Sequence, residues 1–390
     1  MAELFQNLLD YVPSRKTSFI IATSAATTLI LSDAIRRKLN PVPKQIIPSP
    51  RASIIPSLSY EEQDNLPYPP NLFPGARDVD SPYGTTRIYE WGPEDGRKVL
   101  LIHGISTPCL SLGNIAHALV QKGCRVILLD LFGRGYSDSP DLPHDSRLYT
   151  TQILLAITSS PLSWTLDGFS IIGYSLGGGI AADFAAFFPH LIQGLVLLAP
   201  AGLIRPYHFG WQSKILYNDF LPTRVLEHLI RKRLMDGPSA SNSIQKLTKA
   251  PASSTPMPET AVAAEVKGTS DVEFRASPLN IQRPNLTVAS AVGWQLGHHE
   301  GFVRSFVSSI RYSSISGKNE TWRKLGSLKV PVLVIVGDTD PIIVANELEE
   351  DAKEAIGADD VVWKVVHGGH EFPITHPDEV VGHIAKVWRI

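Results

Sequence analysis

The residues of this chain best suited to chemistry lie between Phe169 and Gly179. A short apolar run, Phe169 to Ile172, breaks into Gly173, Tyr174, Ser175, Leu176 and Gly177, and a helix-like segment, Ile180 to Phe188, follows. This pattern predicts a strand, a sharp turn and a helix, with Ser175 at the apex. Such a turn crowds its neighbours, so the positions two before and two after the serine are best filled without a Cβ. The turn lifts the hydroxyl off the sheet and aims the first N–H groups of the helix at whatever lies above it. Ser175 is therefore a candidate nucleophile, provided that a base and an orienting carboxylate serve it.

Both partners are expected after later strands, in the order serine, acid, histidine. Val332 to Val336 is a continuous β-branched run, the mark of a strand buried on both faces. It ends in Gly337, Asp338, Thr339, Asp340 and Pro341. Val361 to Val366 predicts another strand, followed by His367, Gly368, Gly369 and His370. Asp340 is preferred as the acid because it lies deeper in its loop, whereas Asp338 suits the satisfaction of turn N–H groups. His370 is preferred as the base because Gly368 and Gly369 let the chain bend back toward the serine. His367 and His376 read as surface or packing residues.

Acyl transfer also needs N–H donors for the developing oxyanion. The backbone N–H of Leu176 opens the helix after the serine. A second donor is expected after the strand Lys98 to Ile102, where His103, Gly104, Ile105 and Ser106 follow, and the Ile105 N–H is the candidate. His103 is expected to prop this loop.

His103–Ser106, Asp130–Asp138, Gly173–Gly177, Gly337–Pro341 and Gly368–His370 together resemble the α/β-hydrolase superfamily in type and order. The resemblance implies an α/β-hydrolase fold: a mostly parallel sheet flanked by helices, with a mainly helical cap inserted before the acid-bearing strand. It implies Ser175 as nucleophile, Asp340 as acid, His370 as base and oxyanion donors at Ile105 and Leu176. Arg134 and Asp138 are expected to brace their loop. Superfamily members that attack alkyl carbon carry Asp at the apex of this turn, so Ser175 points to a carbonyl. The expected activity is hydrolysis of a carboxylic ester of an apolar or lipid-like substrate, with no cofactor and no metal. The same triad also suits a C–C bond hydrolase or an acyltransferase, and a catalytically silent binding protein could share the fold.

The elements that must position these residues fit within 390 residues, of which 43% are hydrophobic. A net charge of −2 offers nothing to attract nucleic acid. Cys109 and Cys124 form neither a disulfide framework nor a metal-ligand spacing. The organisation expected is a possible N-terminal anchor or targeting segment over 1–40 and a Pro-rich linker over 41–84. The hydrolase core follows over 85–203 and 329–390, interrupted by a cap over 204–328 with a low-complexity segment at 237–269. Residues 17–32 are uncharged and flanked by basic residues, which suggests membrane association with the catalytic part on the cytosolic side. A mitochondrial-type targeting segment and a packing helix are the alternatives. Helices are expected near 112–122, 149–159, 176–188, 343–356 and 377–387, with 211–234 and 289–312 helical in the cap. Trp211, Phe220, Trp294, Phe302 and Phe306 either line an acyl pocket or pack the cap onto the core.

Overall fold

The computed structural model describes residues 45–208, 223–236 and 276–390, together with Thr23, Ser24, Thr27, Thr28, Leu31 and Ser32, which are helical. The chain divides into two units, Met1–Gln45 and Ile46–Ile390. In the first, the Thr27 and Thr28 hydroxyls donate to the carbonyls of Thr23 and Ser24. Among the described residues no helix is long and apolar enough to cross a membrane. Most of 17–32, all of 237–269, Trp211 and Phe220 lie outside the described residues.

In the second unit the strands are β1 (Ile46–Ile47), β2 (Ala76–Val79), β3 (Thr86–Trp91), β4 (Arg97–Ile102), β5 (Cys124–Leu129), β6 (Ser139–Pro140), β7 (Phe169–Tyr174), β8 (Ile192–Leu198), β9 (Val332–Gly337) and β10 (Val361–Val366). The main helices are α1 (Gly113–Gln121), α2 (Ser146–Thr158), α3 (Leu176–Phe187), α4 (Thr223–Asp236), α5 (Val288–His298), α6 (Phe302–Tyr312), α7 (Asn319–Leu325), α8 (Ala345–Ile356) and α9 (Pro377–Trp388). Eight strands form one sheet in the order β10-β9-β8-β7-β4-β5-β3-β2. From β10 to β5 every pairing is parallel, and β3 and β2 add on antiparallel. Parallel strands covered by helices on both faces must be apolar throughout, and every residue of β7 and β9 is buried. The edge strand β2 alternates exposed and half-buried residues and carries Arg77 and Asp78, a charged edge that discourages further pairing.

The strand order creates the place for a site. From β4 the chain crosses to β5 on one side, then returns to β7 on the other. Loops leaving β4 and β7 therefore diverge, and a crevice opens outside their carboxyl ends. The residue after β7 is Ser175, and the loop after β4 begins at His103.

The Pro-rich stretch before the sheet does more than link. Its residues from Ile46 belong to the second unit, with β1 pairing to β6 and β2 extending the sheet. Tyr68 and Phe73 are buried, and Phe73 stacks on Trp91 at 5.6 Å. Asp138 pins this strap, accepting from the Ser49 N–H at 2.8 Å and the Thr85 N–H at 2.9 Å. The cap segment expected as one helix over 289–312 is instead α5 and α6, broken at His299–Gly301. There a Cβ on Gly301 would collide with Ser139, so packing against the strap ribbon dictates the break. Trp294 packs against Tyr136 at 5.3 Å, and Phe302 and Phe306 are wholly buried, which assigns these three aromatics to packing.

Three buried imidazoles give the second unit a pH limit. Burial pushes His103 and His144 down to about 3 and His299 down to about 4. All three therefore stay neutral in the folded protein, while in the unfolded chain they titrate near the ordinary imidazole value of about 6.5. Between about pH 6 and 4 the unfolded state takes up protons that the folded state refuses, so stability falls as pH falls. Denaturant titrations should show a loss approaching about 4 kcal/mol per pH unit near pH 5 if all three contribute fully. A midpoint unchanged from about pH 7 to 4.5 would contradict this account.

Candidate active site

Ser175 has φ 55° and ψ −119°, a conformation that non-glycine residues rarely adopt. Two glycines make it possible. A Cβ on Gly173 would strike the Gly177 carbonyl, and one on Gly177 would strike the carbonyls of Ile102 and His103. The Ser175 N–H donates to the Leu198 carbonyl at 2.9 Å, and its own carbonyl accepts from Gly178 and Ala201, each at 2.9 Å. The turn is thereby fixed between β7, β8 and α3. The Leu176 N–H sits in the first turn of α3, where the helix supplies no acceptor.

The acid and histidine loops are stitched together by the parallel register of β9 and β10. The Asp338 N–H donates to the Val366 carbonyl at 3.0 Å, and the Thr339 N–H to the Gly368 carbonyl at 3.1 Å. This alignment produces two His–Asp pairs. Asp340 Oδ2 lies 2.7 Å from His370 Nδ1, with side-chain exposures of 0% and 7%. Asp340 Oδ1 accepts from the N–H groups of Ile342 at 2.8 Å and Ile343 at 2.9 Å, which fixes the carboxylate. Asp338 Oδ2 lies 3.0 Å from His367 Nδ1, but those side chains are 43% and 84% exposed. The Gly368 N–H, followed by His367, holds the Asp338 carboxyl below its usual range, and Asp338 in turn raises His367. His376 contacts Thr375 at the surface, 2.8 Å from Nδ1 to the hydroxyl.

The histidine loop reaches the serine turn through Tyr174, whose hydroxyl donates to the His370 carbonyl at 2.9 Å. The two rings lie 5.3 Å apart. Ser175 and His370 are both buried, and Tyr174, the residue before Ser175, joins the serine turn to the histidine loop. Tyr174 fell within the serine motif, yet nothing in the sequence signals this tether, because its partner is a main-chain carbonyl 196 positions away.

The loop after β4 completes the arrangement. A Cβ on Gly104 would lie 3.4 Å from that of Ser175, so the loop passes directly beside the hydroxyl. The Leu131 N–H donates to His103 Nε2 at 2.9 Å, which leaves the ring proton on Nδ1, 2.7 Å from the Gly104 carbonyl. In a trans peptide the N–H points opposite to the C=O, so His103 also fixes the direction of the Ile105 N–H. Arg134 Nε donates to the Ile105 carbonyl at 3.1 Å, and Gln295 Nε2 to the Ser106 carbonyl at 3.0 Å. Arg134 thus braces the loop, and Gln295, a polar residue on the buried face of α5, was not apparent before that face was known. A narrow crevice beside the acid loop is lined by Pro200, Leu203, Ile342 and Ile343 and also by the ion-paired Arg205, His208 and Glu347, so its wall is mixed in polarity. Among the described residues no group of three or more His, Cys, Asp or Glu side chains is arranged to hold a metal ion.

Comparison with known proteins agrees with this architecture. Residues 98–377 match the family described as alpha/beta hydrolase fold. A serine hydrolase-like protein of Dictyostelium discoideum is 33% identical over 142 residues, which are 34% of this chain and 38% of that protein. The chain thus spans less than two-fifths of the length of that curated relative. Among solved structures, a thermophilic esterase from Thermogutta terrifontis superposes with a TM-score of 0.54 at 17% identity, over 80% of this chain and 98% of that one. A carboxylesterase from Bacillus subtilis gives 0.54 at 16% identity, over 84% and 95%. At these identities the two structures speak to the fold alone.

The two His–Asp pairs differ in a way that NMR can read. The His370 Nδ1 proton should give a strongly deshielded resonance that disappears in Asp340→Asn and persists in Asp338→Asn. His367 should titrate above the ordinary imidazole range and return toward it in Asp338→Asn. The opposite assignment of the two effects would contradict the geometry.

Proposed function

The chain belongs to the alpha/beta hydrolase fold family, and from that premise we propose that it is a serine hydrolase cleaving a carboxylic ester of an apolar or lipid-like substrate. The observation that carries this reading is the buried Asp340–His370 pair, 2.7 Å apart, on a loop tethered through Tyr174 to the strained turn of Ser175. The fully buried Asp340 carboxylate holds the imidazole with its proton on Nδ1, leaving Nε2 to act as base. His370 takes the Ser175 hydroxyl proton as the oxygen attacks the ester carbonyl. The N–H groups of Ile105 and Leu176 receive the oxyanion, the alcohol leaves with the proton from His370, and an acyl-enzyme remains. Water, deprotonated by the same imidazole, releases the acid and restores the serine. The serine hydrolase-like relative supports hydrolysis through Ser175, and the fold shared with two esterases is compatible with an ester as the substrate.

A fluorophosphonate probe should label Ser175, and a chain-length series of p-nitrophenyl esters should show turnover. Ser175→Ala should lower kcat by about 10³- to 10⁶-fold, and Asp340→Asn by about 10²- to 10⁴-fold. Asp338→Asn should stay within about threefold of wild type, since its carboxylate is exposed and bonded away from the serine. Near-normal turnover by Ser175→Ala would overturn the reading.

A further inference from the structure

The loop that carries the Ile105 N–H is held in part from outside the core. Its three successive carbonyls, Gly104, Ile105 and Ser106, each accept from a buried side chain: His103 at 2.7 Å, Arg134 at 3.1 Å and Gln295 at 3.0 Å. Only the first donor lies in the loop itself. Gln295 belongs to α5, within the insertion between β8 and β9, and its Oε1 accepts from the Gly135 N–H at 2.9 Å. Arg134 Nη2 donates to the Ser309 hydroxyl on α6 at 3.0 Å, and Nη1 donates to the Tyr149 hydroxyl at 3.2 Å. Arg134, Gln295 and Ser309 are all fully buried, so none of these bonds competes with water. Helices α5 and α6 therefore each reach the oxyanion loop through one further side chain at most.

We propose that Gln295 is a positioning residue through which the cap sets the oxyanion loop, with Arg134 and Ser309 as a second strut, so that the Ile105 donor is aligned only while the cap is docked. This rests on the reading of Ile105 as an oxyanion donor given above. An amide suits the task because one end donates to Ser106 and the other accepts from Gly135, clamping two loops that leave the neighbouring strands β4 and β5. A donor displaced by a fraction of an ångström loses much of its effect on the transition state while leaving ground-state binding almost unchanged. On this account the cap governs the chemical step as well as access to it.

The test uses the full-length chain and a p-nitrophenyl ester, with active sites counted by fluorophosphonate end-point labelling. Gln295→Met preserves volume and removes both hydrogen bonds. Its kcat per active site should fall about 10- to 100-fold with KM within about threefold. Gln295→Glu keeps the acceptor for Gly135 but presents a carboxylate to the Ser106 carbonyl. Protonation restores a donor there, so the ratio of its kcat to that of wild type should rise as pH is lowered. A purely structural role would lower the number of active sites, leave kcat per site unchanged and give no such pH signature. If wild type turns over and Gln295→Met retains kcat per site within about twofold, the proposal fails while the serine-hydrolase reading stands. If wild type neither turns over nor labels at Ser175, that reading fails and takes the proposal with it. Should Gln295→Met not fold, a flat pH ratio in Gln295→Glu overturns the proposal alone.

Discussion

The backbone of Ser175 is the constraint on which the rest depends. A non-glycine residue at φ 55° and ψ −119° costs about 1–3 kcal/mol and persists only where its surroundings leave no alternative. Here the surroundings are main-chain groups: the Leu198 carbonyl, the Ala201 N–H, and the contacts of Gly173 and Gly177 with backbone atoms. Because the strain is held by β7 and its neighbours in the middle of an eight-stranded sheet, relaxing it would mean moving strands. The same turn starts α3, so one local distortion fixes the hydroxyl, the helix N-terminus and the approach of Gly104.

A carboxyl edge built this way carries many main-chain polar groups out of water, and each needs a partner. The structure meets this with side chains from distant segments. Asp130 accepts from the Cys109 N–H, the Tyr136 N–H and the Tyr68 hydroxyl, and Gln152 bridges Phe132, Thr86 and Asp130. Arg134 is a costly member, since among the described residues its buried guanidinium bonds only to neutral oxygens. Burial lowers its affinity for the proton, with Tyr149 opposing, yet an arginine keeps its charge under all ordinary conditions. What this arrangement supplies is a set of loops with one geometry, because a shift in any of them would strand a buried donor or acceptor.

Short-range rules made the turn, the strands and both loops at the sheet's edge legible in the sequence. Glycine at two fixed offsets from Ser175, and β-branched runs ending in Gly337–Pro341 and His367–His370, are local requirements that leave local marks. The strap from Ile46 to Val79 left none. Its elements are two to five residues long, and its anchors, Asp138 and Trp91, are chosen by tertiary contact. The break between α5 and α6 was hidden for a similar reason, since Gly301 is needed by Ser139 on another segment rather than by its own helix. Gln295 and Tyr174 could be seen as residues but not as contacts, because both bond to carbonyls, which every residue possesses.

The two His–Asp pairs show how the fold chooses between chemically equal candidates. The sequence offers two carboxylates two residues apart after β9 and two histidines three apart after β10, and the parallel register satisfies both at 3.0 Å or less. The difference is the medium. Water screens the Asp338–His367 pair, and the mobility of two exposed side chains dilutes what attraction remains. Asp340 has one oxygen held by two N–H groups and the other by His370, all out of water, so its charge acts on the imidazole in a low-dielectric setting with no orientation left to lose. Only such a carboxylate can both select the ring tautomer and stabilise the imidazolium that forms on proton transfer. Identical functional groups thus acquire different competence from the depth at which the loops place them.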